Sequence, residues 1–406
     1  MKHPVCRSVL TACLAVMFTA CAGKAGPEVS AQSSQKTASG IFADGRSIPW
    51  AETAKDTAKA AVGGTLDGML PSQSKVANVA DFGAKGDDRS SDAEAIRKAI
   101  ESLGDGGTVL FPAGTYYCAD IHVPSNVSLV SMTTFGFDGD GATQLVRNTR
   151  DAECILDLTG SKNVAIQGIS INGLGKSAQQ DITGIRVVNA QNVDISGGRI
   201  GTDYKGPAVY VENSTGVTVR DAMLQGSRYG VEAVSGENLL ITDCWLTSCH
   251  PAGYYGHGSV QDVRITANRI EWCGTGTLME GVNNHTLIGN YFDRCNIGGI
   301  RATGGSGLTM LGNVNQRNGV TKGTDESCNL FLDGVDNAIY RGNVMEAIQG
   351  DGNDTNVTPE TAMILRGLKN SQIVFNTAYR GFTKEMLKDY GRHSNTVIEG
   401  NVGTKY

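Results

Sequence analysis

Apolar and polar residues alternate in short runs along the second half of this chain, and the runs close on an asparagine. Val263-Arg264-Ile265-Thr266-Ala267-Asn268 is the plainest example. The mark returns at Asn290, Asn313, Asn343, Asn376 and Asn401, at intervals of 22, 23, 30, 33 and 25 residues. Alternation of period two belongs to strands with one buried face. A repeat of roughly 20–50 residues without helical spacing predicts a solenoid of short strands.

Counting back from the repeat position aligns an earlier strand in every coil. Ile185-Arg186-Val187-Val188 is followed by Val209-Tyr210-Val211-Glu212, Val231-Glu232-Ala233-Val234 and Tyr255-Gly256-His257-Gly258. Thr277-Leu278-Met279-Glu280, Ile300-Arg301-Ala302-Thr303, Leu330-Phe331-Leu332-Asp333 and Met363-Ile364-Leu365-Arg366 complete the set. The first and third columns are apolar and are predicted to face the core; the second and fourth face out. The outward columns gather Arg186, Tyr210, Glu212, Glu232, Glu280, Arg301, Asp333 and Arg366. His257 falls in an inward column between glycines, so a local bulge is needed to turn it outward. Tyr254, Tyr255 and His250 sit just before it.

Upstream, Ser91 and Glu94 fit a capping box, and Ile96, Ala99, Ile100 and Leu103 follow helical spacing. A helix there would cover the open end of the solenoid. The stretch Asp81-Phe82-Gly83-Ala84-Lys85-Gly86-Asp87, this helix, and Gly107-Thr108-Val109 with Phe111-Pro112-Ala113-Gly114-Thr115-Tyr116 resembles the opening of the pectate-lyase-like superfamily. The resemblance implies a single-stranded right-handed parallel β-helix of about ten coils over residues 76–406. It also implies an asparagine ladder at the turn between second and third strands, and substrate along the outer face of the first sheet. Polygalacturonases, pectate lyases, alginate epimerases, inulin fructotransferases and phage tailspikes share that architecture. Gly256-His257-Gly258 matches part of the polygalacturonase set, but the Asp-Asp pair and the Arg-x-Lys around it are missing, as is the Asp-Pro-His of the epimerases.

Composition narrows the reading further. The 406 residues include 53 Gly and 9 Pro, with 19% charged residues and a formal charge of −6. Many glycines suit frequent tight turns. The acidic balance and the lack of a basic run argue against nucleic acid. Lys2 and Arg7 precede the apolar stretch Val9 to Ala20, and Phe18-Thr19-Ala20-Cys21 resembles a bacterial lipobox. Residues 1–21 are thus read as a lipoprotein signal with Cys21 lipidated, in the bacterial cell envelope. Residues 22–75 read as a tether, with a short helix at Ala51 to Val62. Of the ten cysteines, seven lie in the body; Cys249, Cys273 and Cys295 recur at one place in successive coils and predict an inward stack of thiols.

The chemistry expected is carbohydrate-directed. Glu280 and Asp333 share an outward column two coils apart, about 9.6 Å between Cα atoms. From there carboxylates approach the ~6.5–9.5 Å of inverting glycosidases. Arg301 lies between them, able to bind a sugar carboxylate or developing charge. His257 and Glu232 are the remaining catalytic candidates; Tyr210, Glu212, Tyr254 and Arg366 are candidates for binding substrate. Hydrolysis of a polysaccharide is favoured. Elimination at a uronic acid through His257 or Arg301, a transglycosylase like the inulin fructotransferases, and a non-catalytic glycan-binding or adhesion role are the alternatives. No cofactor is expected. Asp138-Gly139-Asp140-Gly141 and Asp351-Gly352-Asn353-Asp354 could hold calcium, although turn chemistry accounts for both. Two insertions, Asn318 to Cys328 and Gln349 to Thr361, are predicted to wall the groove. Phe382 to Tyr390 is predicted as a helix at the far end, and an uncovered end there predicts a homo-oligomer.

Overall fold

The computed structural model describes residues 75–131, 143–173, 181–319, 327–346, 359–379 and 385–403. They lie within one compact unit, Ser74–Tyr406. The signal segment with Cys21, the tether up to residue 74 with the helix expected there, both candidate calcium loops and most of the two insertions fall outside the described residues.

A helix, Ala93–Ser102, forms where the spacing predicted it and buries Ala93, Ile96, Ala99 and Ile100. It packs against the strands Val76–Asn78 and Ile121–His122 at the start of the solenoid. Its N-terminus departs from the capping box. Asp92 is the N-cap residue, and its carboxylate accepts the Lys85 and Tyr117 amides at 2.9 and 3.0 Å. Glu94 turns instead toward Lys98 at 3.5 Å. The cap residue therefore ties the helix to the first coil, rather than satisfying the helix's own amides.

The body is a right-handed parallel β-helix. Its third strands form a 12-stranded sheet, one strand per coil, against the ten or so coils expected. First and second strands alternate in a larger 20-stranded sheet. In the central coils the two run on as single long strands, Tyr229–Thr242, Ala252–Thr266, Thr275–Ile288 and Gly298–Leu311. These turn the corner on left-handed residues. At Gly236, φ is 111° and a Cβ would lie 2.2 Å from the Ser214 carbonyl oxygen, so the corner admits only glycine.

Inward columns fill the bore: Val209 stacks on Val231, and Ile300 on Leu330 and Leu330 on Met363, with Tyr254 and Thr277 between the two sets, all of them buried. Beside them runs the asparagine ladder. The Asn290 amide and side-chain nitrogen both donate to Asn313 Oδ1 at 3.0 Å, and its side chain also donates to the Ile265 carbonyl at 2.7 Å. The same set recurs from Asn268 through Asn376, with Asn401 as the last acceptor. Each side chain thus bridges three coils, and each buried bond contributes about 1 kcal/mol. The cysteines behave as predicted: all seven in the described residues are buried free thiols.

At the far end the predicted helix is absent from its described part. Glu385–Asp389 is a strand, paired in parallel with Thr361–Arg366. The sheet of the preceding coil offers a row of open backbone groups, and pairing with it outweighs local helical preference.

Candidate active site

The pairing register decides which side chains share the outer face of the first sheet. Tyr210 pairs with Glu232, Glu232 with Tyr255, Tyr255 with Leu278, Leu278 with Arg301 and Arg301 with Phe331. One step on, Glu280 pairs with Thr303, Thr303 with Asp333 and Asp333 with Arg366. This agrees with the count from the asparagines except in one coil. There Val231 faces Tyr254, not Tyr255. Between the Ala233–Gly256 and Ser235–Ser259 pairs the strand Ala252–Thr266 carries one extra residue, so counting back at the spacing of the other coils stops one residue short.

Two corrections follow. Tyr254, expected to bind substrate, is fully buried in the bore, with its hydroxyl 3.2 Å from His285 Nε2. His257, counted into an inward column, stands just beyond Gly256 at that irregularity and reaches the outer face, its Nε2 3.3 Å from Glu232 Oε1.

The register brings Glu232, Tyr255, His257 and Glu280 into one patch. Tyr255 stacks on His257 with centroids 4.3 Å apart at 20°, and on Tyr229 at 4.9 Å and 28°. Arg228 lies over the Tyr229 ring at 5.6 Å. The Tyr255 hydroxyl donates to Glu280 Oε2 at 2.9 Å. His257 Nε2 lies 3.3 Å from Glu232 Oε1. A carboxylate accepts hydrogen bonds, so this contact puts a proton on Nε2, and in that neutral tautomer Nδ1 presents a lone pair. Burial and the Glu280 carboxylate push the Tyr255 hydroxyl up to about 12. It is therefore a proton donor, not a base, at neutral pH. Next along, Tyr210 donates to Glu212 at 2.9 Å and is likewise pushed up to about 12 by burial and that carboxylate.

Toward the C-terminal side the chemistry changes. Glu280 and Asp333 do occupy one column with Thr303 between them, but different neighbours engage them. Asp333 is paired with Arg366 at 3.0 Å. Arg366 also lies over Tyr390 at 4.6 Å, and Arg301 lies over Phe331 at 4.3 Å. Phe331 and Ile364, although in an outward column, are buried with Cys328 in a small cluster apart from the main core. This end is cationic and aromatic. The acids with aromatic partners, Glu232 and Glu280, lie in the coils up to and including that of Leu278.

The profile of the family described as rhamnogalacturonase A/epimerase, pectate lyase-like, matches residues 76–301, more than half of the chain. The chain belongs to that family. The match runs from the N-terminal cap through the coils that carry Glu232, Tyr255, His257 and Glu280.

Two relatives are similar over part of their length. An iota-carrageenase of Alteromonas macleodii is 30% identical over 178 residues, 40% of this chain and 33% of that protein. Probable rhamnogalacturonase C of Aspergillus niger is 24% identical over 253 residues, 58% of this chain and 53% of that protein. The matches thus span about a third and about half of those relatives. An exopolygalacturonase from Thermotoga maritima shares the fold, with a TM-score of 0.52 and 14% identity over 80% of this chain and 92% of that one.

Counting from the asparagines missed Tyr255 and Tyr229 as outer-face residues. The available signal was three aromatic side chains, Tyr229, Tyr255 and His257, in adjoining coils.

Proposed function

We propose that this chain cleaves glycosidic bonds of a polysaccharide on the outer face of its first sheet, by hydrolysis. One observation carries the reading: two carboxylates, Glu232 and Glu280, flank a stacked tyrosine–histidine pair from the intervening coil, and each takes a contact from one of those rings. They stand two rungs apart and two residues offset, so their Cα atoms are about 12 Å apart. Glutamates projecting over the same rings close that gap toward the ~6.5–9.5 Å that leaves room for a water.

In this scheme Tyr255 occupies Oε2 of Glu280, and Oε1 carries the proton delivered to the leaving oxygen. Glu232, oriented by His257, takes a proton from the attacking water. The water oxygen bonds to the anomeric carbon as the carbon–oxygen bond to the leaving group breaks, with inversion. The Glu280–Asp333 pair suggested by the sequence is less suited, because Arg366 already engages Asp333.

The Tyr255–His257 stack favours a second reading, elimination. His257 Nδ1 would take the C5 proton of a uronic acid while Tyr255 protonates the departing oxygen. The family and the carbohydrate-directed names of the relatives support both. The test is a panel of polysaccharides with products read by mass and absorbance. Reducing ends without near-ultraviolet absorbance indicate hydrolysis; an absorbing unsaturated end indicates elimination. No product from any polymer supports a glycan-binding or adhesion role. The lipobox-like segment supports envelope anchoring through Cys21, which radiolabelled fatty acid incorporation, lost in Cys21→Ser, would test.

A further inference from the structure

We propose that the outer face of the third sheet carries a second, non-catalytic saccharide-binding site. The observation is a polar cleft of about 370 Å³ on that face. Its shape follows from the sequence of two outward columns. Gln144, Ser170 and Arg199 succeed one another in one, and Asn172, Gly201 and Gln225 in the next. Ser170 and Gly201 are small, so the floor sinks between longer amide and guanidinium side chains. Further along the sheet the surface is filled in, with Arg269 over Trp245 at 5.1 Å and Glu271 buried.

The rim supports the same reading. Tyr204 lines the cleft and is 46% exposed. It and Asp203 are consecutive left-handed residues, with φ of 68° and 55°. That conformation is unfavourable for a bulky side chain. The Tyr204 amide holds it in place by donating to the Gly226 carbonyl at 2.7 Å. The turn thus sets an aromatic face beside a row of amides. Amides and a guanidinium donate and accept in pairs that match vicinal ring hydroxyls, and an aromatic ring covers the apolar face of a sugar. Asp203 and Arg199 offset each other in charge. The carboxylate pair of the first-sheet patch has no counterpart among the residues lining the cleft, so the site holds a chain without cutting it.

The test reads the site itself. Hydrogen exchange of the full chain is followed over residues 199–206 and 223–228 with cellotetraose, a β-linked galactotetraose and tetragalacturonate added in turn. At least one probe should slow exchange there in a saturable way. Tyr204→Ala and, separately, Arg199→Gln should each raise the half-saturating concentration about tenfold. Unchanged exchange with all three probes at millimolar concentration overturns the proposal, as does protection that neither variant weakens. Failure of the catalytic reading appears elsewhere, as absence of product, so the two outcomes stay separate.

Discussion

Two polar arrays cross the rungs of this solenoid, one inside and one outside, and they are built to opposite standards. In the asparagine ladder, amide hydrogens and oxygens are taken up by the neighbouring coils; Asn313 alone takes part in bonds to Leu287, Asn290 and Asn343. In the outer patch, Glu232 and Glu280 each receive one aromatic partner, and among the described residues their other oxygens accept no hydrogen bond. A saturated buried network holds a single arrangement. Carboxylates positioned by one bond and left with a free oxygen on an exposed sheet are equipped for proton transfer. The same coil spacing serves both, and the degree of satisfaction separates scaffold from site.

The sharpest way to break this contrast is at the acids. Glu280→Gln and Glu232→Gln should each lower turnover of an identified polysaccharide by about 10²–10⁴-fold. Their unfolding free energies should stay within about 1 kcal/mol of the parent, because Glu280 is exposed and Glu232 is only partly buried. A variant that keeps its rate returns the patch to the ranks of ordinary surface polarity.

Inside, the expectation reverses. Asn313→Ala should leave the outer patch untouched but destabilise the fold by about 3–5 kcal/mol, read by urea unfolding. It strands the Asn290 amide groups and the Leu287 carbonyl in a buried setting, and each orphaned group costs about 1–3 kcal/mol. A loss below about 1 kcal/mol would mean that the ladder records the coil geometry without holding it.

Acid should attack the interior as well. The His285 Nδ1 proton is donated to the Asn283 carbonyl, 3.1 Å away, and Nε2 accepts from the Tyr254 hydroxyl. Burial brings this histidine down to about 4. The unfolded chain therefore takes up a proton near the ordinary value of about 6.5 that the folded chain refuses. Stability is full above about 6.5 and falls as pH drops toward 4, by up to about 3 kcal/mol. His285→Gln should flatten the unfolding free energy across that window relative to the parent. An equal slope in both proteins would place the titration elsewhere.

The ladder and the cap were legible because each repeats one residue type, or one spacing, under a single physical demand. Asn268, Asn290, Asn313, Asn343 and Asn376 each bond both neighbouring coils. Ile96, Ala99 and Ile100 recur because one helix face lies on apolar strands. The outer face was legible only as far as the ruler held. Glu232, Glu280, Arg301 and Asp333 came out in their columns, since their coils are of one length between first strand and ladder position, which Cys244 occupies in the coil of Glu232. The coil of His257 holds an extra residue near a corner, and periodicity has no memory of an insertion. That single slip sent Tyr254 outward and Tyr255 inward. The partner that each acid takes was not legible at all. Whether Arg366 reaches Asp333, or Tyr255 reaches Glu280, depends on side-chain reach across the sheet, which spacing along the chain does not encode.

The smallest expected effect is the most discriminating. Asp333 is half-exposed and bonded to Arg366, itself about as exposed. Exposed pairs contribute about 0–1 kcal/mol. Asp333→Asn should therefore shift stability by less than about 1 kcal/mol. If Glu232 and Glu280 are the working acids, it should also change turnover by no more than about twofold. A hundredfold loss would instead make Glu280 and Asp333 the pair, as their shared column first suggested. Arg366 would then be a positioning residue, and Arg366→Gln should move the pH profile of the reaction rather than only the affinity. The comparison between the two arrays survives either result. What changes is which neighbour Glu280 works with: the one two rungs behind it, through the aromatic stack, or the one two rungs ahead, across Thr303.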